Sequence, residues 1–176
     1  MVRMRGLLGA VSALLGTGRA RRRTRPRATD SRGAAQDPGA PTRTVARPPR
    51  DLVIEYRPDA DGTADAGEIV WTWVPYVEND GRGKDRPVLV IGRASADRVY
   101  AVRLTSKAHD GDRDFLPLGA GEWDSRGRAS WVDIEQLYTV HDRGMRREAA
   151  ALDLPRFTMV AEALQKRYGW RFSAPR

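Results

Sequence analysis

One arginine and two hydroxyl residues stand where strands are predicted to begin or end, a pattern suited to binding a phosphate. Arg86 directly precedes the apolar run of residues 87–91, where a glycine-rich loop meets a strand. Thr105 and Ser106 end a second strand, predicted over residues 98–105. A guanidinium binds two phosphate oxygens at once, and hydroxyl or backbone N–H groups can complete such a pocket. The three residues therefore indicate a candidate phosphate site at the edge of a sheet.

Each of these side chains also has a purely structural interpretation. Arg86 could fix the preceding loop through a salt bridge to Asp85 or Glu78. Hydroxyl residues at the end of a strand commonly form the turn that follows. From the residues alone, both interpretations stay open.

Two glycine-rich segments offer further contacts to a nucleic acid. Loop 78–85 contains Arg82 and Lys84 and is predicted to be flexible, so it could fold over a bound polyanion. A solvated hairpin connection is the equal alternative. Trp123, in the second segment, is a candidate for stacking on a base, whereas Trp71 is expected mainly to pack in the core.

His109 is a candidate general acid or base because imidazole titrates near neutral pH. Asp110, Asp112 and Asp114 lie close to it in sequence, and their charges would favour its protonated, acid form. An exposed loop histidine without a role is the alternative. The chain has no Cys and only two His, which excludes thiol chemistry and Cys-ligated metals. We therefore expect neither a metal nor a cofactor.

The elements that position these residues are predicted to be short strands followed by one helix. The strands are expected at residues 51–56, 68–74, 87–91, 98–105, 115–118 and 130–141. Asp153 is a candidate helix cap, Pro155 suits the first turn and Gly169 ends the helix. Its apolar stripe consists of Phe157, Val160, Ala161, Leu164 and Tyr168. This pattern indicates a mainly β (α+β) protein, a small and strongly curved β-barrel with a C-terminal helix.

The charge is unevenly distributed along the 176 residues. Residues 1–50 contain twelve Arg, two Asp and no aromatic residue, whereas residues 51–176 carry a net charge of −2. We therefore predict a disordered arginine-rich arm over residues 1–50 and one folded domain over residues 51–176. The arm, with its apolar segment 6–16, could bind a polyanion such as RNA or an anionic membrane surface weakly, or be a dispensable extension. No apolar run approaches the roughly 20 residues that span a bilayer, and we expect a cytoplasmic protein.

Several segments, in this order, resemble the PemK/MazF toxins of type II toxin–antitoxin systems. They are Gly67-Glu-Ile-Val-Trp71, Arg86-Pro-Val-Leu-Val-Ile91, Leu104-Thr-Ser-Lys107 and the run from Ser130 to Leu137. The resemblance covers about residues 66–170. It implies a Src-homology-3-like barrel, a homodimer, metal-independent cleavage of single-stranded RNA, and neutralisation by a cognate antitoxin protein.

The resemblance also implies roles for individual residues. Arg86 would bind the scissile phosphate beside Thr105, which matches the active-site threonine of the family. In some members an acid on the final strand accepts the proton of the attacking 2′-hydroxyl, and Glu135 falls at that place. Those members carry an arginine two residues earlier, where this chain has Asp133. Two carboxylates at positions i and i+2 of a strand would point the same way and repel a phosphate, and Asp133 is expected to be a plain surface acid.

Two functions follow from these patterns. The first is a toxin that acts as an endoribonuclease. The alternative is a catalytically inactive barrel module that binds nucleic acid, RNA or DNA, or a protein partner. The net charge of −2 over residues 51–176 favours the alternative, since RNA-cutting surfaces need a local positive excess.

Overall fold

The structure is a computed structural model that describes residues 37–59, 63–78 and 80–173, without the side chains of residues 147–149. In chain order its elements are β1 (Arg43–Thr44), β2 (Val53–Glu55), β3 (Glu68–Pro75), β4 (Gly83–Ser95), β5 (Arg98–Thr105), β6 (Phe115–Gly119), β7 (Ser130–His141), β8 (Met145–Ala151), α1 (Leu154–Tyr168) and β9 (Arg171–Ser173). A single 3-10 turn, Asp142–Gly144, joins β7 to β8. The prediction of a mainly β protein with one C-terminal helix is confirmed.

The larger sheet is antiparallel and has the order β1-β7-β5-β4-β3-β8, with β6 paired to the same strand, β7, as β1. The parallel pair β2 and β9 forms a separate small sheet. Among the described strands, the two edge strands of the larger sheet, β1 and β8, are not hydrogen-bonded to each other. The structure therefore shows an open antiparallel sheet, and the predicted small, strongly curved β-barrel is not confirmed.

Strand β4 starts earlier than the sequence predicts. Lys84 and Asp85 pair with Val74 and Trp73 of β3, although both were assigned to the flexible loop 78–85. The reason lies at Gly83, where a Cβ atom would sit 2.4 Å from the backbone oxygen of Val74. Glycine thus permits a close strand approach that extends the hairpin by four residues, 83–86, before the apolar run.

The C-terminal helix follows its predicted signals. The Asp153 side chain accepts a hydrogen bond from the N–H of Arg156, and Gly169 ends the helix with φ of 75°. Residues of the predicted stripe are buried against one sheet face: Phe157, Val160, Ala161 and Leu164. The opposite face carries a second, valine-rich core. No described helix is long and apolar enough to cross a membrane.

The described part of the segment before residue 51, residues 37–50, packs against the folded domain. Arg43 and Thr44 form β1 on β7, and the Thr42 hydroxyl lies 3.0 Å from that of Thr72 on β3. The Trp170 indole N–H donates to the carbonyl of Pro49 at 2.6 Å. Packing by later residues, which composition does not reveal, orders this part of the chain. The predicted apolar segment 6–16 lies outside the described residues, and the arm as a separate unit stays a prediction.

We expect Phe157→Ala to reduce the free energy of unfolding by about 3–5 kcal/mol, because it leaves a cavity between helix and sheet. The ring is fully buried and its centroid lies 5.1 Å from that of Tyr56. Urea unfolding measures the change, and Glu162→Ala on the exposed side of the same helix is the matched control. Equal stability of the two variants would contradict the packing described here.

Candidate active site

A cleft of about 670 Å³ lies where β4 begins and β5 ends. Its walls come from both strands, from β3, and from the segment that precedes β7. The lining residues are Trp71, Tyr76, Gly83, Lys84, Asp85, Arg86, Pro87, Leu104, Thr105, Ser106, Lys107, Asp124, Arg128 and Ser130. The structure therefore brings together Arg86, Thr105, Ser106 and Lys84, four of the residues that the sequence singled out.

Strand register explains why Arg86 and Thr105 share this cleft. Val88 pairs with Arg103 across β4 and β5. Antiparallel strands run in opposite directions, so stepping two residues from this pair brings position 86 across from position 105. The Thr105 hydroxyl also accepts a hydrogen bond from the N–H of Lys107 at 3.2 Å. Its turn-forming and cleft-lining interpretations therefore both hold.

The side chain of Arg86 is half-buried and makes no ion pair or hydrogen bond within the described part of the chain. The predicted alternative partner, Asp85, instead lies 2.6 Å from Arg146 of β8. This contact is an ion pair without a hydrogen bond of good geometry. The same Asp85 oxygen accepts no well-directed hydrogen bond from any described residue. Burial, followed by the positive charge of Arg103, lowers the pKa of Arg86. An anion in the cleft would offset both the loss of solvation by burial and the repulsion between Arg86 and Arg103.

The ionisable groups that line the cleft are predominantly positive. Four cations, Lys84, Arg86, Lys107 and Arg128, outnumber the two acids, Asp85 and Asp124. Both acids are already paired with arginines, Asp124 with Arg128 at 2.9 Å. The charge of Arg86, followed by burial, lowers the pKa of Lys84. The cleft therefore has a local excess of positive charge, although residues 51–176 together carry a net charge of −2.

The burial of Trp71 and Trp123 is the reverse of what the sequence predicts. Trp71, expected in the core, is partly exposed and lines the cleft, where its indole N–H donates to the carbonyl of Trp123 at 3.2 Å. Trp123, the predicted stacking residue, is only 4 % exposed and donates to the Ser130 hydroxyl. A Cβ atom at Gly121 would lie 2.1 Å from its ring, so this glycine allows Trp123 to fold inward. Sequence reasoning also missed Tyr76, the second aromatic residue of the cleft.

Three other predicted site residues do not line the cleft. The His109 ring stacks on Phe115 with centroids 3.6 Å apart and contacts Asp112. Glu135 is exposed on β7, 3.9 Å from Arg167. Arg82 is exposed and is paired with Asp80 at 2.7 Å, which raises the pKa of Arg82. Arg82 and His109 each contact an acid in their own loop, and Glu135 lies near an arginine of α1.

Asp133 is not the surface acid that the sequence suggested. Its side chain is 3 % exposed and lies 2.7 Å from the Nε atom of Arg103. Its other oxygen accepts hydrogen bonds from the N–H groups of Glu135 and Gln136. The pairing of β5 with β7 is irregular here, and a buried carboxylate satisfies the N–H groups that the irregularity frees. Asp133 therefore does not place an unpaired negative charge in the cleft.

No group of three or more acidic or histidine side chains in the described ranges is placed to hold a metal ion.

Comparison with solved structures finds several MazF proteins. Crystal structures of MazF and of MazE–MazF from Deinococcus radiodurans are 24% and 22% identical, each over 61% of this chain. They are covered over 97% and 96% of their own lengths, with TM-scores of 0.45 and 0.44. A mycobacterial endoribonuclease in complex with its cognate antitoxin is 16% identical over 59% of this chain and 93% of its own, with a TM-score of 0.44. No curated protein matches the chain.

The family assignment rests on a match to a family model. Residues 65–167 match the model described as the PemK-like, MazF-like toxin of type II toxin–antitoxin systems. The match spans more than half of the 176 residues and contains every element from β3 to α1, as the resemblance over residues 66–170 predicted. The chain therefore belongs to the PemK-like, MazF-like toxin family.

Proposed function

We propose that this protein is the toxin of a type II toxin–antitoxin pair and that it cleaves single-stranded RNA without a metal ion. The observation that carries the proposal is Arg86, a half-buried guanidinium without an acidic partner among the described residues, beside Thr105 in a positively charged cleft. A phosphodiester supplies the anion that this arrangement lacks.

In the proposed reaction, the ribose 2′-oxygen attacks the adjacent phosphorus and the bond from phosphorus to the 5′-oxygen breaks. The products are a 2′,3′-cyclic phosphate and a 5′-hydroxyl. The 2′-hydroxyl loses its proton and the leaving 5′-oxygen gains one. Arg86 stabilises the additional negative charge on the phosphoryl oxygens, and the hydroxyls of Thr105 and Ser106 orient the phosphate.

The rest of the cleft is suited to binding the flanking nucleotides. Lys84 and Lys107 are exposed, line the cleft and have no acidic partner in the described part of the chain, so they can contact neighbouring phosphates. Trp71 and Tyr76 offer aromatic faces for bases, a contact worth about 1–3 kcal/mol per base in proteins that bind single strands.

The acid–base roles of Glu135 and His109 stay predictions, since neither residue lines the cleft. This observation favours a second candidate function, a module that binds nucleic acid without cleaving it. The two functions differ in whether the RNA remains intact.

The proposal includes partners of defined chemistry. An antitoxin would place acidic side chains of its C-terminal segment in the positively charged cleft and compete with RNA. A homodimer, with the RNA groove along its interface, and action in the cytoplasm, where messenger RNA is available, are parts of the same proposal.

We expect Arg86→Ala to reduce RNA cleavage by about 100-fold or more, because it removes the charge that stabilises the transition state. The measurement is the rate at which new 5′-hydroxyl ends appear on a long unstructured RNA in the presence of a chelator. Arg171→Ala, on β9 outside the cleft, is the control for loss of one positive charge. Because Arg86 has no described ion-pair partner, the substitution leaves no acid unpaired, and the folded state should be retained.

Two results would contradict this proposal in different ways. Wild-type protein that shifts the RNA on a gel but leaves it intact would support the binding module. Cleavage by Arg86→Ala at the wild-type rate would place the active site elsewhere.

We expect Glu135→Gln and His109→Ala each to change the cleavage rate by less than about tenfold, since general acid–base groups contribute about 100-fold or more when they act. The same assay of 5′-hydroxyl ends measures this. A loss of 100-fold in either variant would restore that residue to the site and would require a rearrangement of its loop or of β7 on RNA binding.

A further inference from the structure

A second arginine lies on the same sheet face as Arg86. Arg103 pairs with Val88, which follows Arg86 by two residues on β4, and Thr105 follows Arg103 by two residues on β5. Side chains two apart on a strand share a face, and long side chains on diagonal positions of neighbouring strands can reach each other. Arg86, Arg103 and Thr105 therefore lie next to one another.

Asp133 fixes the orientation of Arg103. The Nε atom of Arg103 donates to one oxygen of Asp133 at 2.7 Å. The other oxygen of Asp133 accepts two backbone N–H groups, at 3.0 Å and 3.2 Å, so the carboxylate cannot turn freely. A guanidinium gripped through Nε presents its two Nη groups in a defined plane.

The Nη groups of Arg103 donate no hydrogen bond in the described part of the chain, and the ion pair with Asp133 is closest at Nε. The side chain of Arg103 is 20 % exposed and lies next to the cleft, outside the residues that line it, so a ligand can contact only its exposed part. The charge of Arg103 acts directly on Arg86, where it helps to lower the pKa of that residue. Asp133 compensates only one of the two neighbouring cations. A bound anion would compensate the second.

We propose that Arg103 is a second phosphate-binding residue, which holds an RNA phosphodiester together with Arg86 and is positioned for this contact by Asp133. The inference rests on the proposed function for the identity of the ligand. It explains why a buried acid and an arginine from the neighbouring strand are combined next to the cleft. The two guanidiniums would grip the phosphate from adjacent strands, which restricts its orientation more than one arginine can.

The test measures binding separately from cleavage. The probe is a single-stranded oligonucleotide of random sequence with 2′-O-methyl groups, which lacks the attacking 2′-hydroxyl. Fluorescence anisotropy gives its affinity over a range of salt concentrations. We expect Arg103→Gln to weaken binding about tenfold and to reduce the slope of log affinity against log salt by about 0.7, the value for one phosphate contact on a single strand.

Two further variants separate phosphate contact from folding and from net charge. Arg103→Gln combined with Asp133→Asn leaves the net charge unchanged and leaves no buried carboxylate unpaired, so the fold should be retained; thermal unfolding checks this. We expect the slope of log affinity against log salt to fall by the same amount in the double variant as in Arg103→Gln. Arg171→Gln removes one positive charge on β9 and should retain the wild-type affinity and slope.

Wild-type affinity and slope in Arg103→Gln would overturn the inference, and so would recovery of both in the double variant. Absence of any binding by the wild-type protein at low salt would overturn it as well. Parallel incubation of the wild-type protein with unmodified RNA distinguishes the two proposals. If the RNA stays intact and the salt slope is reduced in Arg103→Gln, the nuclease proposal is refuted but the role of Arg103 in binding is not. If the RNA is cleaved and the salt slope is unchanged in Arg103→Gln, only the role of Arg103 is refuted.

Discussion

The antiparallel pairing of β4 with β5 brings a guanidinium and a hydroxyl to the same side of a sheet, and the chemistry proposed for this protein depends on that pairing. Both strands continue into buried cores on both faces of the sheet, so the positions of Arg86 and Thr105 are set by packing and not by a mobile loop. A rigid frame matters because catalysis by charge stabilisation requires donors that do not reorganise during the reaction. The half-buried, unpaired Arg86 is unfavourable for the isolated protein and favourable once an anion is bound.

Other arginines neutralise the acids around this site. Arg146 pairs with Asp85, Arg128 with Asp124, and Arg103 with Asp133. This pairing leaves the lysines of the cleft and Arg86 available to a polyanion, although residues 51–176 carry a small negative net charge. The distribution of charge over the fold therefore determines the electrostatic character of the cleft, whereas the net charge does not.

The sequence predicts well what depends on local signals. The helix from its cap at Asp153 to its end at Gly169 and the pairing of two β-strands before and after residue 97 both follow from short patterns, whereas the phosphate-site roles of Arg86 and Thr105 stay predictions. What depends on distant contacts was not predictable. Asp133 is buried because Arg103 is its neighbour on another strand, and residues 37–50 are held by partners such as Trp170, 121 positions away from Pro49. The glycine-rich surroundings of Trp123 suggest an exposed ring, but the ring is buried, and the missing side chain of Gly121 leaves the space for it.

The most direct measurement is a nuclear magnetic resonance titration that observes arginine side-chain N–H groups while a single-stranded 2′-O-methyl oligonucleotide is added. An arginine without an acidic partner gains new hydrogen bonds when it binds a phosphate, so its Nε–H signal should move. If Arg86 holds the phosphate, its signal should show a large shift that saturates with binding, while the Arg171 signal stays unchanged. An unmoved Arg86 signal at full saturation would show that the oligonucleotide binds elsewhere and that Arg86 does not hold the phosphate.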